Sequence, residues 1–382
     1  MIRLFAVPAA LVAVLAVTTP AVSAATPAAS PGQPPGRVLV GVACPRQTSC
    51  WAVGAQTASS VARTLIEHWN GRKWSLSASP SVTGSPGTFL RSVSCSGRLN
   101  CWGVGEATLG SGKQEPIAEH WNGRKWTLSV LPEPAGLAAD SMSGIWCPGP
   151  ARCWAVGSAA RRVDAARGQP LVEHWTGRKW SLVPAPAEGN FSNLLAVFCH
   201  RDTNCWAVGV GATGGLAEHW NGRRWSIAAT PSTGGGLQGV WCPGTDCFAA
   251  GASVGPDPGS APMTLAERWD GAKWSIAPTA PLPQAFLRIL QGVSCATPVN
   301  CFTVGLVGVH ALIERWQGSK WVRLKNQNPA GAQSAELHGV FCVSRTACWA
   351  VGASAAKMAF FGPDSALVER WNGKRWSVVP TP

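Results

Sequence analysis

Two cysteines, a glutamate and two tryptophans recur at fixed spacing seven times along this 382-residue chain, so any chemistry has to be tested on them first. The cysteines pair off as Cys44 with Cys50, Cys95 with Cys101, Cys147 with Cys153, Cys199 with Cys205, Cys242 with Cys247, Cys295 with Cys301 and Cys342 with Cys348, with none left over. Paired thiols either hold a metal or oxidise. A closed zinc site needs four ligands, and each repeat offers two thiols with no regular histidine beside them. One disulfide per repeat is therefore expected, and no metal or other cofactor. On the chain-entropy model, clasping so short a loop stabilises the fold by roughly 2 kcal/mol per bridge.

The glutamate is Glu67, Glu119, Glu173, Glu218, Glu267, Glu314 or Glu369, always two residues before a tryptophan. A ring of carboxylates would suit cations. A buried acceptor used once per repeat suits a sevenfold device better. The next residue is His68, His120, His174 or His219, then Arg268, Arg315 or Arg370. Metal ligation requires a neutral imidazole, so exchange of His for Arg argues against it. Fourteen of the 21 tryptophans occupy two repeated positions, from Trp69/Trp74 to Trp371/Trp376. Indoles can stack on sugars, but a pair at fixed spacing in every repeat is expected to pack the core. His200, His310 and His338 fall outside the repeated position and share no ligand spacing. No phosphate loop, nucleophile elbow or His-Glu-x-x-His is present.

These residues sit in a repeat that opens at successive first cysteines, in steps of 51, 52, 52, 43, 53 and 47 residues. Each copy holds four short apolar segments, in the first copy Val38–Cys44, Cys50–Gly54, Thr64–Trp69 and Trp74–Ser77. The first two are joined by five residues. The last two are joined by Asn70-Gly71-Arg72-Lys73, and Asn-Gly is a strong hairpin signal. Nothing is periodic enough for a helix. A four-stranded antiparallel unit written seven times predicts an all-β, seven-bladed β-propeller. Its blades are expected at about 38–80, 89–132, 142–184, 194–231, 237–278, 290–329 and 337–380, within a domain spanning 38–382. In the second strand, Trp51 and Val53 alternate with Ala52 and Gly54, as wedges packed on both faces require.

Ahead of the repeats, Arg3, an apolar run from Leu4 to Val17 and Val22-Ser23-Ala24 read as a secretory signal, 1–24, cleaved after Ala24. Residues 25–37 read as a Pro/Ala-rich linker. No other stretch suits a membrane span. A secreted, extracellular monomer is expected, and export agrees with the cysteine pairing. The abundance of Ala, Gly and Pro fits a GC-rich bacterial genome.

The order of landmarks, a strand ending in Val-Gly, then Glu-x-Trp-Asn, a turn, Trp-Ser and Pro, resembles the kelch repeat over residues 38–380. The chain has one glycine where kelch has two, Trp where kelch has Tyr, and the added cysteines. The Asn-Gly-x-x-Trp turn is also similar to the Asp-box of sialidase-type propellers, whose aspartate stands here only at Asp270. The resemblance implies a propeller that binds through its loops. Copper-radical oxidases and sialidases of these kinds use tyrosine, and this chain has none.

In such a blade, the turns within each hairpin share one face. The third-to-fourth-strand turns carry Arg72, Lys73, Arg124, Lys125, Arg178, Lys179, Arg223, Arg224, Lys273, Lys320, Lys374 and Arg375. The first-to-second-strand turns add Arg46, Arg98, Arg152, Arg201 and Arg345. Against these seventeen bases stand Asp202, Asp246 and Asp270, a surplus of fourteen where the whole chain carries +13. The positive charge is thus concentrated on one face, which suits a polyanion. On the other face the loops vary in length, as a binding surface does. The expectation is a non-catalytic extracellular scaffold recognising a protein or polymer, with a polyanion on the basic face. The alternative is a secreted carbohydrate-active enzyme using Asp164, Asp257 and Asp364. Alkylation of exported protein should label no cysteine before reduction and all fourteen after it, on a chain beginning at Ala25.

Overall fold

The computed structural model describes residues 36–382 apart from 59–60, 81, 83, 137–138, 161–167, 232, 256, 258, 327 and 357–364. The expected signal and nearly all of the expected linker lie outside the described residues. Among those described there is no helix, and 28 strands form four-stranded antiparallel units, one per repeat. In the first unit the strands are Gly36–Arg46, Ser49–Ala58, Val61–Trp69 and Trp74–Leu76. They pair in chain order. Three of them outrun the apolar segments of the sequence, because ladder hydrogen bonds continue through polar residues. Gly36 and Arg37 pair with Thr57 and Gln56, so the strand begins inside the expected linker.

Two local devices recur. In the fourth-strand hairpin, Gly71 takes φ +94°, and Asn70 Oδ1 accepts from the amides of Arg72 (2.9 Å) and Lys73 (3.1 Å). An Asn-Gly turn therefore closes itself with its own side chain. The second device is the glycine ending the Val-Gly landmark. A Cβ on Gly54 would stand 2.0 Å from the Val38 carbonyl oxygen, and the other six copies are as tight. Opposite it, the first strand of every repeat carries an irregularity in register after its buried leucine or methionine, as between Leu39 and Gly41.

The sheets meet through aromatic rings. Trp51 in the second strand of the first repeat enters the second repeat, 4.7 Å from Trp121 and 5.1 Å, edge-on, from Trp126. The same three-ring contact recurs with Trp102, Trp154, Trp206, Phe248 and Phe302. It also joins the seventh repeat to the first: Trp349 lies 4.8 Å from Trp69 and 5.3 Å from Trp74. Within one buried cluster, Leu39, Ala52 and Trp74 pack with Trp349, Val351 and Val368. The first strand of each sheet lies against that of the next, and Ser334–Ser344 lies against Gly36–Arg46. The alternation read in the second strand thus has a direction. Trp51 and Val53 face the second repeat, and Ala52 faces the seventh.

Truncating a buried indole costs about 3–5 kcal/mol. Trp349→Ala should therefore lower the denaturation midpoint as much as Trp154→Ala. Chemical denaturation of both variants checks this; a distinctly milder Trp349→Ala would mean that the terminal sheets do not support one another.

Candidate functional site

The expected cysteine pairing is the one observed. Cys44 is bridged to Cys50, Cys95 to Cys101, Cys147 to Cys153 and Cys199 to Cys205. Cys242 is bridged to Cys247, Cys295 to Cys301 and Cys342 to Cys348. Every bridge stays within its own repeat, with Cα–Cα separations of 3.9–4.0 Å. Each fastens the first two strands beside their turn, and that turn meets the third-to-fourth-strand turn of the same sheet. Gly71 sits against Thr48, Gly222 against Thr203 and Gly373 against Thr346. Trp121 Nε1 donates to the Arg98 carbonyl oxygen (3.3 Å), and Trp371 Nε1 to that of Arg345 (3.1 Å). Turns of adjacent sheets also touch: Asn100 Nδ2 donates to the Pro150 carbonyl oxygen (3.0 Å), and Gln47 Nε2 to Ser344 Oγ (3.0 Å). Every arginine and lysine assigned to these turns is exposed.

The three acids among them are already engaged. Asp202 lies 3.5 Å from both Arg152 and His174, and Asp246 accepts from Arg268 at 2.6 Å. Asp270 caps its own turn by accepting from the amides of Ala272 and Lys273, and these hydrogen bonds hold its carboxyl below the usual range. Among the described residues, Arg152 is the one turn base in a salt bridge with an acid, so most of the positive charge on this surface is left without local compensation. Of the acids considered for catalysis, Asp257 is exposed in a loop, and Asp164 and Asp364 lie outside the described residues.

The seven repeated glutamates are almost fully buried. They are spread one per sheet, and among the described residues no three of His, Cys, Asp and Glu gather as a metal site would require. Several reach the segment that follows the fourth strand of the preceding sheet. Ser79 Oγ donates to Glu119 (2.8 Å), the Ala280 amide to Glu314 (3.4 Å), and the Asn326 side chain to Glu369. Burial raises Glu67, Glu119, Glu314 and Glu369 to about 7, and Glu218 and Glu267 to about 8. The exchange of His for Arg next door now has a physical reason, because both are planar groups lying on the second-strand ring. His68, His120 and His174 stack on Trp51, Trp102 and Trp154 at 4.2–4.3 Å. Arg370 lies 5.3 Å over Trp349. Most of the repeated tryptophans are likewise buried.

The structure also brings together residues that the repeat pattern hides. At the first-strand irregularity stand Val40, Arg91, Ser143, Leu195, Gln238, Gln291 and His338, each half-buried beside a fully buried neighbour. Arg91 makes a two-pronged bond to Glu106, at 2.6 and 2.5 Å. His338 Nδ1 meets Gln291 Oε1 of the preceding sheet at 2.8 Å, and its Nε2 lies 3.1 Å from Glu336. Burial pushes the Glu336 carboxyl up, but the His338 hydrogen bond and charge outweigh it and hold it below its ordinary value. Three residues further along the strand, Trp146, Phe198, Trp241 and Phe341 converge. Trp146 and Trp241, two repeats apart, have ring centres 5.0 Å apart, and Trp241 and Phe341, again two repeats apart, 5.4 Å. The sequence signal was there: these are first-strand positions at which the seven copies disagree.

No protein-family model matches the chain. No curated protein matches it either. Among solved structures, it is similar to a protein of unknown function from Dyadobacter fermentans DSM 18053, with TM-score 0.53 and 9% identity over 91% of this chain and 95% of that one. It is also similar to Sqt1 of Chaetomium thermophilum, with TM-score 0.51 and 10% identity over 89% of this chain and 83% of that one. At such identities the likeness is one of fold.

The buried glutamates set a sign for stability against pH. Their folded pKa values of about 7 to 8 lie above the ordinary 4.5, so the native state holds more protons over that interval and stability falls as pH rises through it. Burial lowers His68, His120, His174 and His219 below 6.5, which opposes this trend and fades as the unfolded imidazoles lose their protons above pH 6.5. Between pH 6.5 and 8 the more numerous glutamates dominate, at up to about 1.4 kcal/mol per pH unit for each group titrating. The thermal midpoint should drop across that range, and less so in a Glu218→Gln/Glu267→Gln variant. A midpoint that is flat or rises with pH would contradict the assignment.

Proposed function

We propose that this is an exported, non-catalytic, kelch-like binding protein in which seven wedges close into a propeller, and that its turn face holds a polyanionic polymer outside the cell. The closed ring is supported by the three-ring contact of Trp349 with Trp69 and Trp74, which repeats the contact between successive sheets. The seventh sheet also meets the first through the hydrogen bond from Gln47 to Ser344. Export is supported by seven disulfides, which persist in an oxidising compartment, and by the apolar leader. No helix among the described residues is long and apolar enough to cross a membrane.

One observation carries the ligand class. The turns of all seven sheets present exposed arginine or lysine, while the acids beside them are taken up by Arg152, Arg268 and a turn's own amides. Five of the third-to-fourth-strand turns are closed by Asn or Asp caps, and the turns lie beside the disulfides, so the cations stand on a rigid surface. A charged polymer can then displace its counterions over many contacts without ordering the protein.

Immobilised heparin, used as the polyanion probe, should retain the protein to higher salt than a neutral control. Arg223→Glu/Arg224→Glu and Lys374→Glu/Arg375→Glu should each shift elution to lower salt, together more than separately, with the thermal midpoint unchanged. Elution with the control would remove the proposal.

A further inference from the structure

We infer that the centre of the ring is a second binding site, facing away from the basic turns and suited by its side-chain chemistry to a neutral pyranose unit of a carbohydrate. The inference uses the closed ring but is independent of polyanion binding. Its first element is a closed end. Trp146, Phe198, Trp241 and Phe341 come from four different sheets and meet across repeats that are not neighbours, which residues can do only where all the sheets converge. Each immediately precedes its sheet's first cysteine, so this aromatic layer lies toward the basic turns. Three of its four rings remain partly exposed.

The second element is a polar wall. The irregular first-strand positions lie three residues from the aromatic layer, roughly 10 Å along a strand, toward the face of variable loops. Bulges re-aim a side chain out of the ladder, and all seven residues here are half-buried rather than packed away. Their backbones pass close to one another from sheet to sheet. A Cβ on Gly41 would stand 3.3 Å from the Arg91 carbonyl oxygen, one on Gly292 2.9 Å from that of His338, and one on Gly339 2.7 Å from that of Val40. Gln291 and His338 join side chain to side chain across their seam.

The third element is unspent hydrogen-bonding capacity. Gln238 Nε2, a donor, and Asn193 Oδ1, an acceptor two residues before the irregular Leu195, are buried without partners. Such groups are costly unless something bonds them. Charge on the wall is cancelled locally, Arg91 by Glu106 and His338 by Glu336, which disfavours a strongly anionic ligand. What remains are planar amides able to bridge adjacent hydroxyls, with aromatic rings behind them. A pyranose offers that combination, with hydroxyls around its edge and C–H bonds on its face.

Glucose, galactose, N-acetylglucosamine and glucuronate provide the probes, followed by saturation-transfer NMR and tryptophan fluorescence. At least one neutral sugar should bind and perturb the emission. Gln238→Ala/Gln291→Ala should weaken it by about tenfold or more, with thermal midpoint and heparin retention unchanged. The Arg223→Glu/Arg224→Glu variant should bind the sugar normally while losing heparin. The inference is overturned if none of the neutral sugars binds, if glucuronate alone binds, if the Gln238/Gln291 variant binds as the parent does, or if the turn variant loses the sugar.

Discussion

Everything in this molecule depends on one contact, an aromatic ring from the second strand of each sheet lodged between two indoles of the next. It recurs at every step and again between the last sheet and the first. Large flat rings meeting edge to face fill volume and resist sliding, so each seam fixes the angle between its sheets. The small residues on the other side of the same strand, such as Ala52, leave room for the ring arriving from the preceding repeat. A wedge that is large on one side and small on the other has a built-in direction, so every seam is made the same way round. The disulfides act at a different level. They clasp the first hairpin inside each sheet and cross no seam, so they stabilise the wedges while the tryptophans assemble them.

This arrangement explains why a carboxylic acid can be tolerated beside each seam. Glu67, Glu218 and Glu267 are buried with neither carboxyl oxygen bonded, and their raised pKa values leave them largely protonated at mildly acidic pH. A neutral carboxyl can donate as well as accept, and it avoids the large desolvation penalty of a carboxylate. Glu119 shows the better-satisfied form, with Ser79 of the preceding sheet donating to both oxygens. Thr279 and Asn326 occupy nearby places in the corresponding segments, and Asn326 also bonds within its own sheet. Glu119, Glu314 and Glu369 thus act as secondary ties between successive sheets.

Much of this was legible in the sequence because it repeats. Cysteines five or six apart flanking a turn, such as Cys242 and Cys247 or Cys342 and Cys348, admit one local partner each. The alternation of Trp51, Ala52 and Val53 fixes which faces are buried. The Asn-Gly dipeptide marks the hairpin with its mechanism attached. Less legible were the strand lengths, since polar residues such as Arg37 and Gln56 extend the ladder through backbone bonds that carry no side-chain signal. Least legible was the centre. One extra residue in a strand flips the face of every residue after it, so Arg91, Gln238 and His338 read as ordinary strand positions until the register is seen. The meeting of Trp146 with Trp241 joins sheets two repeats apart, which no local pattern encodes.

Repetition and divergence therefore divide the labour. A residue present in all copies faces the same surroundings seven times and is used to hold them together; Glu67 and Trp74 are of this kind. The basic turns are repeated too, and a surface of that kind offers a field rather than a fit. Discrimination needs unlike groups at one place, and a repeated scaffold supplies it only where its copies converge. The first strand offers such a place, because there aromatic rings from sheets two repeats apart touch. At one position of that strand the copies differ, placing an arginine, two glutamines and a histidine where the scaffold requires none of them. At the aromatic layer the first, second and sixth sheets carry Ala43, Ser94 and Ser294, while Trp146, Phe198, Trp241 and Phe341 come from the others and pack on one another. Such an asymmetry is what the proposed pyranose site would use to hold its ligand in one orientation.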